Sequence, residues 1–140
     1  MYDANFDWIG NGINRSINNT PIAFSPDVVG ASILSFRPMD GLNIDLLSKY
    51  VSRQYLDNSG DRNRSLDPYL THDLRVNYRM PAGKMAKEVV FGLLVNNLTN
   101  LMYSSNGYTY PFLFDGQLVA DNYFYPQAGT NFLANVQFRF

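Results

Sequence analysis

The chain has 140 residues, a net charge of −1, no cysteine and a single histidine. That length suits one domain or a piece of a larger one. No basic surface advertises nucleic acid, and disulfides, thiolate chemistry and cysteine- or histidine-cluster metal sites are excluded. Hydrophobic residues make up 46% of the chain, yet no run approaches the ~20 apolar residues of a transmembrane helix. The apolar residues are instead mixed finely with polar ones.

Residues 1–27 are rich in Asn, Gly and Pro and read as an irregular, external loop segment. No basic stretch followed by an apolar one opens the chain, so no signal peptide is expected. "MYDANFDWIG" reads as a start in the middle of something.

From residue 28 the dominant period is two, which places successive side chains on opposite faces of a strand. Five strands are expected, near 28–37, 42–55, 69–80, 88–103 and 129–140. In the first, Leu34 and Phe36 oppose Ser35 and Arg37. In the second, Leu42, Ile44, Leu46 and Tyr50 oppose Asn43, Asp45, Lys49 and Arg53, with Leu47 and Val51 blurring the pattern. In the third, Leu70, Leu74, Val76, Tyr78 and Met80 alternate with Tyr69, Thr71, Asp73, Arg75, Asn77 and Arg79. The fourth sets Val89, Phe91, Leu93 and Val95 against Gly92 and Asn96. The last sets Phe132, Ala134, Val136, Phe138 and Phe140 against Asn131, Asn135, Gln137 and Arg139.

The connections alternate in character. "PMDG" at 38–41 and "PAGKMAK" at 81–87 are short. Residues 56–68 and 104–128 read as long loops, the first polar and the second aromatic. In an antiparallel meander this puts tight turns at one end and long excursions at the other. Outer-membrane barrels have that asymmetry, and their tilted strands need ~9–11 residues to cross the apolar layer. Leu42, Ile44, Leu46, Leu74, Val76, Phe91, Leu93 and Val95 are then expected to face lipid. The mixed set, including Asp45, Lys49, Arg53, Asp73, Arg75, Arg79, Glu88 and Arg139, faces the lumen. Tyr50, Tyr55, Tyr69, Tyr78, Tyr103 and Phe36, toward strand ends, fit an interfacial aromatic belt. A soluble sandwich also alternates, but these strands are long against the ~5–6 residues usual in globular sheets.

"SPD" at 25–27, "KYVSRQYLDN" at 49–58, "VNNLTNLMY" at 95–103, "YPQAGTNF" at 125–132 and "QFRF" at 137–140 carry a resemblance. In that order they resemble the C-terminal barrel portion of TonB-dependent outer-membrane receptors of Bacteroidota-like bacteria. The family often has Phe at the position of Thr99 and a basic residue at that of Thr130. The resemblance implies an all-β fold: an antiparallel up-and-down meander of about five long strands, part of a 22-stranded transmembrane barrel around an N-terminal plug. It implies an outer-membrane location and import of a scarce solute. The closing motifs look more like siderophore or cofactor importers than glycan importers. It implies as partners outer-membrane lipid, the remaining strands and plug, the TonB system acting through that plug, and the barrel-assembly machinery. Phe140, with Phe138, Val136 and Phe132 in phase behind it, resembles the terminal signal that machinery reads. The chain by itself is expected not to transport, and to dimerise, swap strands, bind detergent or aggregate.

Other chemistry is weaker. His72 and Asp73 are adjacent in a strand and so point to opposite faces. Asp57, Asp61 and Asp67 share a loop but lack the closing Glu of a calcium loop. No nucleotide or hydrolase fingerprint occurs, no cofactor is called for, and an enzyme is the least expected class. Tyr108, Tyr110, Phe112, Phe114, Tyr123 and Tyr125 either stack on a flat ligand or pack their loop onto the barrel rim. Two competing classes are a soluble β domain binding carbohydrate through exposed aromatics and a small complete outer-membrane barrel.

Overall fold

The computed structural model describes residues 19–83 and 86–140. It is all-β, and every strand pairing in it is antiparallel. The strands are β1 (Val29–Met39), β2 (Leu42–Val51), β3 (Gln54–Tyr55), β4 (Ser65–Leu66), β5 (Tyr69–Pro81), β6 (Glu88–Asn96), β7 (Ser104–Phe114), β8 (Gln117–Pro126) and β9 (Asn131–Arg139). Five of them form one sheet in the order β1-β2-β5-β6-β9, and β3-β4 and β7-β8 form two-stranded sheets. Among the described residues β1 and β9 are the edges of the large sheet, which is open there. The expected irregular segment 1–27 is described only from Asn19, and residues 19–27 contain no strand; the rest lies outside the described residues.

The five expected strands are therefore the five of the large sheet, with three corrections. The second stops at Val51 rather than residue 55. There the Ser52 amide donates to the Val28 carbonyl at 2.9 Å, and the chain turns aside so that Gln54 and Tyr55 pair with Leu66 and Ser65. The fourth stops at Asn96 rather than 103, because Asn97 and Asn100 adopt positive φ, 50° and 53°, and break the extended run. The third correction is the largest. Residues 104–128, expected as a loop, contain the hairpin β7–β8. Its reversal is Asp115–Gly116, with φ of 49° and 74°, the left-handed pair that a tight two-residue hairpin turn requires.

The sheet's register puts residues in rows, since directly paired residues point to the same side. Leu34, Leu46, Leu74, Val95 and Phe132 form one row across all five strands. Phe36, Ile44, Val76, Leu93 and Ala134 form the next, followed by Leu42, Tyr78, Phe91 and Val136, and then by Met80, Val89 and Phe138. Leu34, Phe36, Phe91, Phe132, Val136 and Phe138 on this face are exposed.

Tight packing lies elsewhere. Val51, Leu56, Leu66 and Tyr69 are buried together with Arg64, Ser65 and Thr71. These residues sit where β3, β4 and the long connections meet the sheet. At the opposite end Asp40–Gly41 turns β1 into β2. Gly41 has a φ of 81°, and a Cβ there would strike the carbonyl oxygen of Arg79.

Candidate functional site

The two faces of the large sheet are the first candidate site. All eight residues expected to share the apolar face, from Leu42 to Val95, lie in the apolar rows. Phe132, Val136 and Phe138 continue those rows at the edge strand, and Phe140 follows it, 82% exposed. Burying eight such side chains in an apolar medium, at half of ~1.5–3 kcal/mol each, amounts to on the order of 10 kcal/mol. That rivals the whole folding free energy of a small domain. The face needs a cover.

The opposite face carries the charges. Asp45 accepts from the Ser35 hydroxyl at 2.6 Å and from the Asn43 amide at 2.7 Å, while Arg37 donates to Asn43 at 3.0 Å. Glu88 lies between Arg139 at 2.6 Å and Arg79 at 3.4 Å. The pairs run across neighbouring strands, so no carboxylate there depends on a residue of its own strand alone. Ile33 and Leu47 beside Asp73, Leu94 and Leu133 beside Arg75, and Val90 beside Arg79 interrupt the polar face. Gly92 faces Asn135, whose amide fills the space a Cβ would take.

At the long-connection end the chain is tied by Asn97, which is buried. Its side chain donates to the carbonyls of Leu101 (2.9 Å) and Ala128 (3.1 Å) and accepts from the Leu101 amide (2.9 Å). Its backbone amide donates to Asp73 Oδ1 at 2.8 Å. Asn100 accepts from the Thr130 amide at 3.0 Å. The "VNNLTNLMY" and "YPQAGTNF" stretches are thus two halves of one clasp that pins the base of the hairpin to β6 and β9.

The second excursion is held by Arg64. Its side chain, 11% exposed, pairs with Asp57 at 2.8 Å. Burial pushes the Asp57 carboxyl up, but hydrogen bonds from Ser59 and Arg64 outweigh it and hold the group below the usual carboxylate range. Asp61 accepts from the Asn63 amide at 2.9 Å and caps a single 3₁₀ turn, Arg62–Arg64. Asp67 pairs with Arg53 at 2.7 Å. Asp57 and Asp61 thus share Arg64, whose Nε lies 3.8 Å from Asp61 Oδ2, while Asp67 is engaged apart from them.

His72 lies on the apolar side, with Nδ1 2.8 Å from the Ser48 hydroxyl, while Asp73 is on the other face bonding Asn97. Two belt candidates are corrected. Tyr69 is buried, and its ring stands 4.4 Å from that of Tyr103, on the polar side with Asp73. Burial pushes the Tyr103 hydroxyl up, helped by Tyr69 and Asp73. Tyr50 and Tyr78 remain on the apolar side.

The hairpin gathers the loop aromatics on one face. Tyr108 pairs with Tyr123 across the strands, and their rings stack at 4.7 Å. Tyr125 lies 6.3 Å from Tyr108, and Phe112 lies 6.2 Å from Tyr110. The other face meets the rest of the fold: Gly107 approaches Leu56, and Asn122 donates to the Asn63 carbonyl at 2.8 Å. So Tyr108, Tyr110, Tyr123 and Tyr125 are exposed rather than serving as the hairpin's packing surface. No family model, curated protein or solved structure matches the chain.

Sequence reasoning missed two elements. Asn97 has no periodicity to mark it, although two Asn residues three apart signal a non-extended turn. The hairpin was readable: "FLFDGQLVA" is a strand, an Asp-Gly turn and a second strand.

Proposed function

We propose that the chain is the C-terminal segment of a TonB-dependent outer-membrane receptor, its five-stranded sheet forming part of the wall of a transmembrane barrel. The carrying observation is the sheet itself. One face carries two apolar rows unbroken across all five strands, the other carries the charged and hydrogen-bonded side chains, and both short connections of the sheet, 40–41 and 82–87, lie at one end. Lipid covers the first face and the water-filled, plug-containing lumen meets the second. β1 and β9 pair with further strands, because an unpaired backbone edge in hydrocarbon leaves its N–H and C=O groups unsatisfied. The five strands have 9 to 13 residues, enough to cross the apolar layer when tilted. In this reading the long connections are external, the intact receptor imports a siderophore- or cofactor-like solute, and Phe140 closes the signal for barrel assembly.

The absence of cysteine makes the test clean. Single cysteines at positions 74, 91 and 136, and at 75, 77 and 135, are labelled with a fluorophore in lipid vesicles holding brominated acyl chains. The first three are quenched and the second three are not. Equal behaviour of the two sets, or a monomer that unfolds cooperatively in plain buffer, favours a soluble β domain instead. Transport is tested in cells: uptake of ferric siderophores and corrinoid-sized solutes unaffected by loss of the intact protein would remove the receptor reading and leave the membrane one.

A further inference from the structure

The hairpin β7–β8 changes character along its length. Near its base, the outward face carries Asn106, Tyr125, Tyr108, Tyr123, Tyr110 and Asp121. Beyond Tyr110 it carries only Phe112, Val119 and Phe114, with Gln117 at the turn. The other face runs from Gly107 and Phe124 through Thr109 and Asn122 to Pro111 and Ala120 and then to Leu113 and Leu118. Its end is therefore apolar on both sides. Leu113, Phe114, Leu118 and Val119 are all exposed, Phe114 at 69%.

A flat protein surface, or a sugar ring, covers one side of a hairpin. The Tyr108 and Tyr123 rings also stack on each other, which takes one face of each ring from a sugar. A tip that is apolar on both sides needs a medium that surrounds it. The headgroup–acyl boundary does that while keeping water within reach of the unpaired outer edges of β7 and β8, and the axial order runs from the apolar stretches 111–114 and 118–120 to Tyr110 beside Asp121, then Tyr108 beside Tyr123, then Asn106 beside Tyr125. The turn's only charge is Asp115. The hairpin holds Asp115 and Asp121 and no Lys or Arg, so nothing in it attracts an anionic headgroup.

We infer that β7–β8 is a lipid-inserting hairpin, which places residues 111–120 in the headgroup–acyl boundary of a zwitterionic bilayer with Tyr108, Tyr110 and Tyr123 at the water interface. The eleven residues of β7 span roughly 35 Å, long enough to carry the tip well clear of the clasp at its base.

The full chain with a single labelled cysteine at 113, 114 or 118 is mixed with phosphatidylcholine vesicles containing brominated lipid. All three labels are quenched, a label at 123 is quenched less, and one at 106 stays in water. Replacing a third of the lipid with phosphatidylglycerol at low salt weakens the quenching at the tip. A label at 119 is quenched in the otherwise unchanged chain and loses that quenching in the variant L113N/F114N/L118N, while a label at 74 keeps its own, which separates this proposal from the barrel reading. Labels at 113 and 114 that remain in water while 74 is quenched overturn it. So does protection of one face only. Protection that rises with protein concentration in the absence of lipid would mean a second copy covers the tip, and overturns it as well.

Discussion

The Thr130 hydroxyl donates to the backbone carbonyl of Asn97 at 2.7 Å, closing a contact between residues 33 apart in sequence. Around it, the Asn97 side chain makes three more hydrogen bonds at a φ of 50°. Hydrogen bonds of this kind contribute about 0.5–1.5 kcal/mol each, and an alanine in the left-handed region costs about 1–2 kcal/mol. Asn97→Ala is therefore expected to destabilise by about 3–5 kcal/mol and Asn97→Gly by less, since glycine keeps the backbone. Urea unfolding of the chain in the detergent where it folds checks both. Equal losses for the two would mean that the backbone conformation contributes nothing.

Gly92 and Asn135 are cross-strand partners on the polar face, and the Asn135 amide occupies the place of a Cβ at 92. In a strand, glycine is ordinarily worse than alanine by roughly 0.5–1 kcal/mol. Gly92→Ala alone forces Asn135 to swing away and lose its place, so it destabilises. In the Asn135→Ala background the same change has room and stabilises. A double-mutant cycle by denaturant unfolding reads the change of sign; additivity would show that the two side chains do not meet.

The large sheet was legible because its constraint is periodic. Ile44, Val76 and Leu93 fall in step within their own strands, and once each strand has two faces the register that aligns them is strongly favoured, since a slip of one residue turns every apolar side chain over. What was not legible has no period. Asn97 ends β6 through a local turn and contacts far along the chain. Tyr69 follows the polar phase of β5, yet it is buried because Tyr103 returns from a separate loop to stack on it. The hairpin was hidden by its composition: β7, with Tyr, Phe, Pro or Gly at six of its eleven positions, resembles an aromatic loop until the Asp115–Gly116 turn is weighed.

Asp57 gives the loop over 56–66 a pH dependence. Its carboxyl lies below its ordinary value of 3.8 in the fold. Folding therefore favours the ionised form, and that stability is fully present above the unfolded value and is lost as pH falls through the folded one. Thermal unfolding of the chain and of Asp57→Asn should differ at neutral pH, and the gap should close below about pH 4 as the wild type loses the Arg64 pair. A gap that stays constant to pH 2 would mean that the Asp57 charge does not hold this loop.

Opposite faces of one strand should answer oppositely to charge. Val76 and Asn77 are adjacent in β5, Val76 in the apolar row between Ile44 and Leu93, and Asn77 between Asn43 and Gly92. If lipid covers the first face, an arginine at 76 meets hydrocarbon at a cost of about 2–4 kcal/mol near the midplane, whereas an arginine at 77 meets water and neighbours such as Asp45. Val76→Arg should then abolish recovery of the folded chain with vesicles in flotation, and Asn77→Arg should leave it within about twofold, a difference of less than 0.5 kcal/mol. In a soluble sandwich Val76→Arg would also be harmful, but its effect would be the same with and without lipid. The lipid dependence, rather than the loss itself, carries the distinction, because a bilayer changes the stability of the apolar face only if lipid is what covers it.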